Sequence, residues 1–477
     1  MRRFLLFLFV LLSTLSLADC GGGGSITNAT VNSVNAASAA PKTPPNGGFQ
    51  ALVAFGGSLS DDGAYTPAAV GAYAQLASDA QFAAANPQLA TQYGNDSNAF
   101  YVKAQNGGPN ILPFDLGGQF NVNPGSNFIT DIAQDLGLTI SPYQVGYGYP
   151  LNTSPYASLS NLPNCHFSST LHNGQPDCLD FAQGGARVSD PNGIGHYTTD
   201  GSGNQVVAAM TMPLTEQIQS YLTQFKNFNK NQLITILAGD NDIFVALQNV
   251  GAALDQAANQ AVTQALQQNP SLTADQQQQI AAQARNQAQP AAVNIAQAAV
   301  AQAADDLTGA VKTVLGKGGQ YVVVYTLPDF STSPLGRSLY VGSGSPPAGY
   351  VCNNQDPSTA CFLLSDLVHI FNQRMLDDLQ GQSVKVVDGF SIFNQMMTNP
   401  GQFGLNNITT PSCNLAQQPL NQVAVGQSIL CNATTLTQGA DPQNSWLFSD
   451  ELYLTPAGYK ILANQSLQAI SSFGWLQ

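Results

Sequence analysis

Charged side chains are scarce in this sequence. Asp, Glu, Lys and Arg make up only 9% of the 477 residues, and 28 acidic residues against 14 basic ones give a net charge of −14. No basic tract is present, and a protein that binds nucleic acid needs clustered Lys and Arg to neutralise phosphates. A surface this acidic is also repelled by anionic membranes. Because 44% of the residues are apolar, the composition favours a globular protein with a sizeable core and no nucleic acid partner.

The cysteine spacing that is typical of zinc sites, with two residues between the ligands, is also missing. Cys20 stands apart, and the other six cysteines fall into close sequential pairs, namely Cys165/Cys178, Cys352/Cys361 and Cys413/Cys431. Sequential pairing is one of several connectivities that six cysteines allow. We favour three short-loop disulfides, formed in an oxidising compartment, over metal binding. The sequence implies no metal and no organic cofactor.

The N-terminus has the pattern of a secretion signal. Arg2 is followed by the apolar run 4–17, which is too short to span a bilayer comfortably. The segment LADC that ends at Cys20 resembles a bacterial lipoprotein cleavage box, which implies a lipidated cysteine. Asp19 stands where that box prefers a small residue, so ordinary cleavage and release is the alternative. We expect residues 1–20 to be a signal peptide and the protein to be exported, as an outer membrane lipoprotein, in the periplasm or secreted.

The next segment, residues 21–48, is rich in Gly, Ser, Asn, Ala and Pro and has no hydrophobic period. This composition predicts a flexible tether. We assign residues 49–477 to the main domain.

Short, wholly apolar runs alternate with helical stretches along the main domain. These predicted strands are Ala51–Phe55, Leu179–Ala182, Leu233–Leu237, Tyr321–Leu327 and Val384–Val387. Apolar strands that alternate with helices predict an α/β fold whose parallel sheet is covered on both faces. Ligands bind at the carboxyl ends of such strands. The first three runs end in Gly followed by a polar residue, so we expect three polar turns to converge there.

One region of the domain differs from the rest in composition. Residues 245–312 are dominated by Ala and Gln and are interrupted by NPSLT at 269–273. Ser271 or Thr273 could cap the second half. The pattern predicts two or three long helices, which we interpret as a helical insertion between core elements, with a partner surface as the alternative.

Three short blocks carry a family resemblance. The stretch FGGSLSD, which contains Ser58, resembles the G-D-S-L signature of the GDSL, or SGNH, family of serine esterases and lipases. Gly57 stands in the Asp position of that signature. FAQGGARV matches the second block of the family at Gly185, and AGDNDIF matches the third block at Asn241. The resemblance covers roughly residues 50–475 and is greatest to the bacterial secreted phospholipase, lecithinase or hemolysin-like subgroup.

The resemblance implies a three-layer α/β/α flavodoxin-like SGNH hydrolase fold with about five parallel strands. It implies that Ser58 attacks an acyl or lipid ester. The oxyanion that develops would be stabilised by the backbone N–H groups of Ser58 and Gly185 and by the side-chain amide of Asn241. The expected partner is therefore an acyl ester or lipid substrate, and we expect a monomer.

The last block of the family, D-x-x-H, departs from the pattern. Within FSDELYLTPAGYKILA, Asp450 stands in the Asp position, but Tyr453 replaces the histidine that deprotonates the serine. A phenol has a pKa near 10, against about 6.5 for imidazole, so Tyr453 would need a strongly depressed pKa to act as the base. His196, in the loop after the Gly185 block, is another candidate base. We expect an exported ester hydrolase impaired by loss of the catalytic His. The alternatives are an inactive acyl- or lipid-binding protein on a hydrolase scaffold, or incidental substitutions in an active enzyme.

Overall fold

The computed structural model of the protein describes residues 28–66, 69, 72, 117–144, 171–172, 175–176, 178–199, 203–207, 209–340, 346–417, 420 and 426–476. The helices are α1 (Asn28–Ala37), α2 (Phe128–Asp135), α3 (Leu214–Phe225), α4 (Asp240–Gln268), α5 (Ala274–Gly316), α6 (Pro334–Ser338), α7 (Ala360–Leu379), α8 (Gly389–Thr398) and α9 (Pro456–Ser472). The strands are β1 (Ala51–Gly56), β2 (Leu171–His172), β3 (Gln175–Pro176), β4 (Tyr197–Thr199), β5 (Gln205–Val207), β6 (Gln232–Leu237), β7 (Tyr321–Tyr325) and β8 (Lys385–Val387).

A parallel sheet of four strands, in the order β1-β6-β7-β8, forms the centre of the fold. Every residue of β1, β6, β7 and β8 is buried, so both faces of the sheet are covered. Parallel strands need crossover connections, and the helices between these strands supply them. The prediction of an α/β fold with a parallel sheet is confirmed, and four of the five predicted strands form it.

The fifth predicted strand, at 179–182, forms only a bridge. The Ala54 N–H donates to the Leu179 carbonyl at 3.0 Å, and the Phe181 N–H donates to the Ala54 carbonyl at 2.8 Å. The Gln183 N–H also donates to the Gly56 carbonyl at 3.1 Å, so the segment follows β1 without forming a regular strand. The sheet has four strands rather than about five.

The predicted tether is structured from residue 28 onward, which differs from the expectation of a flexible segment. Helix α1 buries Val31 and Val34, which lie three residues apart on one face. The Asn35 side chain accepts from the Val386 N–H at 2.7 Å and donates to the Val386 carbonyl at 2.8 Å. These two bonds satisfy the backbone at the open edge of β8, so α1 is part of the domain. Residues 21–27 lie outside the described residues.

The Ala- and Gln-rich region forms two long helices, α4 and α5, as predicted. The break between them ends at Thr273, whose hydroxyl accepts from the Gln276 N–H while the Gln276 side chain accepts from the Thr273 N–H. This capping box fixes the start of α5. Helix α4 begins at Asp240, shortly after β6 ends at Leu237, and its first turn contains the predicted site residue Asn241. In the part of the chain that the structure describes, no helix is both long and apolar enough to cross a membrane.

Two of the three predicted disulfides are formed, Cys352–Cys361 and Cys413–Cys431. Cys178 is also disulfide-bonded, while Cys165, its predicted partner, lies outside the described residues. Cys20 and the signal segment 1–20 lie outside them too. The sequential pairing is thus confirmed for two pairs.

Candidate active site

Ser58 sits on the tight turn that ends β1. Gly56 has φ +150°, and a Cβ there would lie 2.0 Å from the Leu237 carbonyl oxygen of β6, so only glycine fits. The Gly57 N–H donates to the same carbonyl at 3.2 Å. This turn places Ser58 at the carboxyl end of the sheet, as predicted, and only 1% of the residue is exposed.

The C-terminal block places Tyr453 against this serine. The Tyr453 hydroxyl donates to Ser58 Oγ at 2.8 Å, and only 5% of Tyr453 is exposed. The Phe120 ring packs on the Tyr453 ring with 4.8 Å between centroids. The structure therefore brings together the two ends of the sequence pattern, with a phenol where the family pattern has an imidazole.

Tyr453 is held in its protonated form. Burial raises the pKa of the Tyr453 phenol well above its usual value, and the bond with Ser58 lowers it by less. The nearby carboxylates of Asp240 and Asp450 raise this pKa further. A phenol in this environment donates a proton in a hydrogen bond and is a poor proton acceptor at neutral pH.

Asp450 lies in the same loop, but its hydrogen bonds hold the backbone. Its Oδ1 accepts from the N–H groups of Leu452 at 2.9 Å and Tyr453 at 2.8 Å, and its Oδ2 accepts from the Ser428 N–H at 2.9 Å. Burial raises the pKa of Asp450, and these three bonds oppose the shift. Asp450 therefore fixes the path of the loop that presents Tyr453.

The two other predicted site residues lie on neighbouring turns. Asn241 is in the first turn of α4, and its Nδ2 donates to the Ala186 carbonyl at 2.9 Å, which joins the third block to the residue after Gly185. A Cβ at Gly57 would lie 3.1 Å from Asn241 Nδ2. The structure thus places Asn241 between the Ser58 turn and the Gly185 turn, and the three blocks converge as expected.

The alternative base, His196, is bonded elsewhere. Its Nδ1 lies 2.7 Å from Thr211 Oγ1, and that hydroxyl donates to the Pro191 carbonyl at 3.0 Å. His369 lies in α7, where its Nδ1 is 2.8 Å from the Ser365 carbonyl oxygen. The side chains of the two remaining histidines, at 166 and 172, lie outside the described residues. Within the described hydrogen bonds, Tyr453 and not a histidine meets Ser58.

Sequence reasoning missed a buried carboxylate at the start of α4. The Asp240 carboxylate lies beside the Ser58 turn, where a Cβ at Gly57 would be 3.1 Å from Oδ1 and 3.6 Å from Oδ2. Burial raises the pKa of Asp240 to about 7, and the charge of Asp242 raises it as well. The available signal was Gly57 in the Asp position of the signature, together with a carboxylate at position 240, next to Asn241.

Two further buried carboxylates follow the serine. Asp61 accepts from the Gly184 N–H at 2.8 Å and thereby ties the Ser58 turn to the second block. Asp62 accepts from Gln119 Nε2 at 2.8 Å and from the Thr130 hydroxyl at 2.7 Å. Burial raises the pKa of Asp61 to about 6 and that of Asp62 to about 7. Both carboxylates hold the loops around the serine.

The core contains a small apolar cavity. Its walls include Leu59, Leu237, Phe330, Phe393, Met396 and Leu452. Leu59 follows Ser58 and Leu452 precedes Tyr453 in the sequence. The cavity has a volume of about 20 Å³, which is room for little more than one water molecule, so it is a void in the core and not a substrate pocket.

Compared with known proteins, the chain matches no family model and no curated sequence. In the described residues, no group of three or more His, Cys, Asp or Glu side chains could hold a metal ion. The resemblance to the GDSL family thus depends on the four sequence blocks and on the contacts that join them.

Proposed function

We propose that the protein is an exported serine ester hydrolase of the GDSL type, with a flavodoxin-like SGNH fold and slow turnover. The observation that carries the proposal is the 2.8 Å hydrogen bond between the Tyr453 hydroxyl and Ser58 Oγ. It means that the fourth block meets the first at the point where the base of such an enzyme contacts its nucleophile. The two disulfides support export to an oxidising compartment, with Cys20 as a possible lipid attachment point.

The reaction is acyl transfer to Ser58. Its Oγ attacks the ester carbonyl, and the oxyanion is stabilised by the N–H groups of Ser58 and Gly185 and by the Asn241 amide. The Asn241 amide donates to the Ala186 carbonyl at 2.9 Å and lies 3.5 Å from Asp240 Oδ1, so it would exchange the longer of these two contacts for the oxyanion. A donor of this kind is typically worth about 3–4 kcal/mol of transition-state stabilisation.

Turnover is slow because, among the residues that the structure describes, no histidine meets Ser58. A positioned general base typically contributes a rate factor of about 10²–10⁴. Tyr453 cannot supply this factor because its pKa is raised well above the usual value. The substrate class, an acyl or lipid ester, is what the resemblance to the GDSL family implies.

Hydrolysis of p-nitrophenyl acetate, butyrate and octanoate tests the proposal, with residues 21–477 as the enzyme. We expect weak hydrolysis that Ser58→Ala abolishes. Ser331→Ala is the matched control, because Ser331 is also buried but lies in a different loop. Hydrolysis that survives in Ser58→Ala would contradict the serine mechanism.

The second candidate is an acyl- or lipid-binding protein on the same scaffold. It is favoured by the 1% exposure of Ser58, which the Tyr453 hydroxyl covers. This function predicts calorimetric binding of a medium-chain ester or fatty acid, with no product after long incubation. Product that depends on Ser58 would exclude it.

A further inference from the structure

The hydroxyl proton of Ser58 needs an acceptor, and the residue in the His position of the family pattern does not supply one. The hydrogen bond between Ser58 and Tyr453 uses the phenol's own proton, so Ser58 Oγ is the acceptor in that bond. When Ser58 attacks an ester, its proton must move to another group. The two groups that sequence reasoning considered are unsuitable, because Tyr453 is held protonated and His196 is bonded to Thr211.

Asp240 is the carboxylate placed for this role. Its oxygens lie where a side chain at Gly57 would point, and Ser58 is the next residue. Consecutive Cα atoms are only about 3.8 Å apart, so the carboxylate lies close to the Ser58 backbone, and a proton would pass from Ser58 Oγ to it through one water. Among the carboxylates that raise the pKa of Tyr453, Asp240 has the largest effect.

The other buried carboxylates of the site are occupied. Asp61 accepts from three backbone N–H groups, those of residues 63, 64 and 184. Asp450 likewise accepts from three backbone N–H groups. Asp242 accepts from the Arg187 guanidinium at 2.9 Å and from the Val188 N–H at 2.8 Å. The described donors to Asp240 are all local: the backbone N–H groups of Asn241 and of Asp240 itself, with the Asn241 amide nitrogen 3.5 Å from Oδ1.

We propose that Asp240 accepts the proton of Ser58 in the ester hydrolysis, in place of the histidine that the family pattern has at position 453. The inference rests on the proposed function. The Ser58 Oγ–carbonyl carbon bond forms as the proton moves to Asp240. The bond to the leaving alkoxide then breaks, and Asp240 returns the proton to it as the alcohol leaves. Water attacks the acyl-enzyme, gives its proton to Asp240, and Ser58 regains a proton as the carboxylic acid is released.

Gly57 provides the space for the Asp240 carboxylate. A side chain at position 57 would meet Asp240 Oδ1 and Asn241 Nδ2, each 3.1 Å from its Cβ. Glycine therefore leaves the space that the carboxylate occupies. The Asp240 carboxylate therefore occupies the space that an Asp side chain at position 57 would need.

The pH dependence of the reaction gives the test. Burial raises the pKa of Asp240 to about 7, and the charge of Asp242 on the same helix contributes. On other elements, the titratable groups that interact with the Asp240 charge are Tyr453 and, on α9, Tyr459. Burial raises the pKa of both phenols well above the usual value. Both stay neutral near pH 7, so ionisation of Asp240 should appear as a rise in rate through about pH 7. Asp62 also has a pKa near 7 and serves as the control.

The experiment measures p-nitrophenyl butyrate hydrolysis, and labelling of Ser58 by an alkyl fluorophosphonate, from pH 5 to 9. The variants are Asp240→Asn, Asp62→Asn, Ser58→Ala and the double variant Asp240→Asn/Tyr453→His. We expect Asp240→Asn to lose roughly 10²-fold in both rates and to lose the inflection near pH 7. Asp62→Asn should keep the inflection. The double variant should recover rate, because a histidine supplies the base to an intact site.

The two proposals fail in different ways. If Asp240→Asn keeps the rate and the inflection while Ser58→Ala is inert, the hydrolase stands and Asp240 is not the acceptor. If Asp240→Asn is inert and the double variant is inert too, Asp240 has a structural role and the inference is overturned. If the unaltered protein shows no Ser58-dependent reaction with either reagent, the proposed function fails and this inference fails with it.

Discussion

Removal of the Tyr453 hydroxyl tests the contact on which the site depends. In Tyr453→Phe, the buried Ser58 Oγ loses the donor that now lies at 2.8 Å. A hydrogen bond between neutral buried groups contributes about 0.5–1.5 kcal/mol net, and an unsatisfied partner costs about 1–3 kcal/mol. We therefore expect the free energy of unfolding to fall by about 1–2 kcal/mol, and Ser58→Ala to have a cost of similar size.

The double variant makes this test specific. In Tyr453→Phe/Ser58→Ala both polar partners are gone, so neither is left unsatisfied, and the double variant should cost less than the two single variants together. We expect a coupling energy of about 0.5–1.5 kcal/mol. The assay is urea denaturation of residues 21–477 with intact disulfides, followed by tryptophan fluorescence.

Tyr459→Phe is the matched control, because its buried hydroxyl donates to the Phe120 carbonyl at 3.1 Å and not to the serine. The loss of unfolding free energy in Tyr459→Phe should add to the loss in Ser58→Ala when the two substitutions are combined. Distant substitutions add to within about 0.3–0.5 kcal/mol. If Tyr453→Phe and Ser58→Ala add within that margin as well, the two hydroxyls are not bonded and the description of the site is wrong.

Three further predictions follow from buried polar groups. Because burial raises the pKa values of Asp62 and Asp240 to about 7, the native state binds more protons than the unfolded chain between about pH 4 and 7. The stability they contribute is therefore present at pH 4 and lost as the pH rises to 7, and a urea midpoint no higher at pH 5 than at pH 8 would contradict this. Gly57→Asp should lower the urea midpoint by placing a second carboxylate against Asp240, and Gly57→Asp/Asp240→Gly should recover it; equal midpoints for the two variants would refute the shared space. Asn35→Ala should lower the free energy of unfolding by about 1–3 kcal/mol, because it removes both bonds to β8. Asn259→Ala, at an exposed position of α4, is the control and should lower it little. Equal losses in the two variants would mean that α1 is not part of the domain.

The elements that depend on local patterns were predictable from the sequence. The four strands of the sheet are short apolar runs. Such runs are typical of a parallel sheet whose two faces are both covered. Thr273 is predictable as a cap because its hydroxyl and the Gln276 side chain lie three residues apart, at the distance that a capping box requires. The contact between Ser58 and Tyr453 was implied by the family resemblance, because Tyr453 stands where the family has the histidine that meets the serine.

The features that the sequence did not reveal depend on long-range contacts. Helix α1 has only two buried valines, and its place at the edge of β8 depends on the Asn35 side chain. The segment at Asp180 has the pattern of a strand, but in the fold its carboxylate also accepts from the distant Asp62 N–H at 2.7 Å, a contact that no local pattern indicates. Asp240 is unremarkable in sequence, because its pKa and its position against Gly57 arise only when two strand ends meet in the fold.

The most direct test of the account is the rate of p-nitrophenyl butyrate hydrolysis by Tyr453→His beside the unaltered protein and Ser58→Ala. The account holds that the site is complete except for a strong base at position 453. It predicts slow hydrolysis by the unaltered protein, none by Ser58→Ala, and a gain of roughly 10²-fold or more in Tyr453→His. A folded Tyr453→His variant that is no faster than the unaltered protein would contradict the central claim.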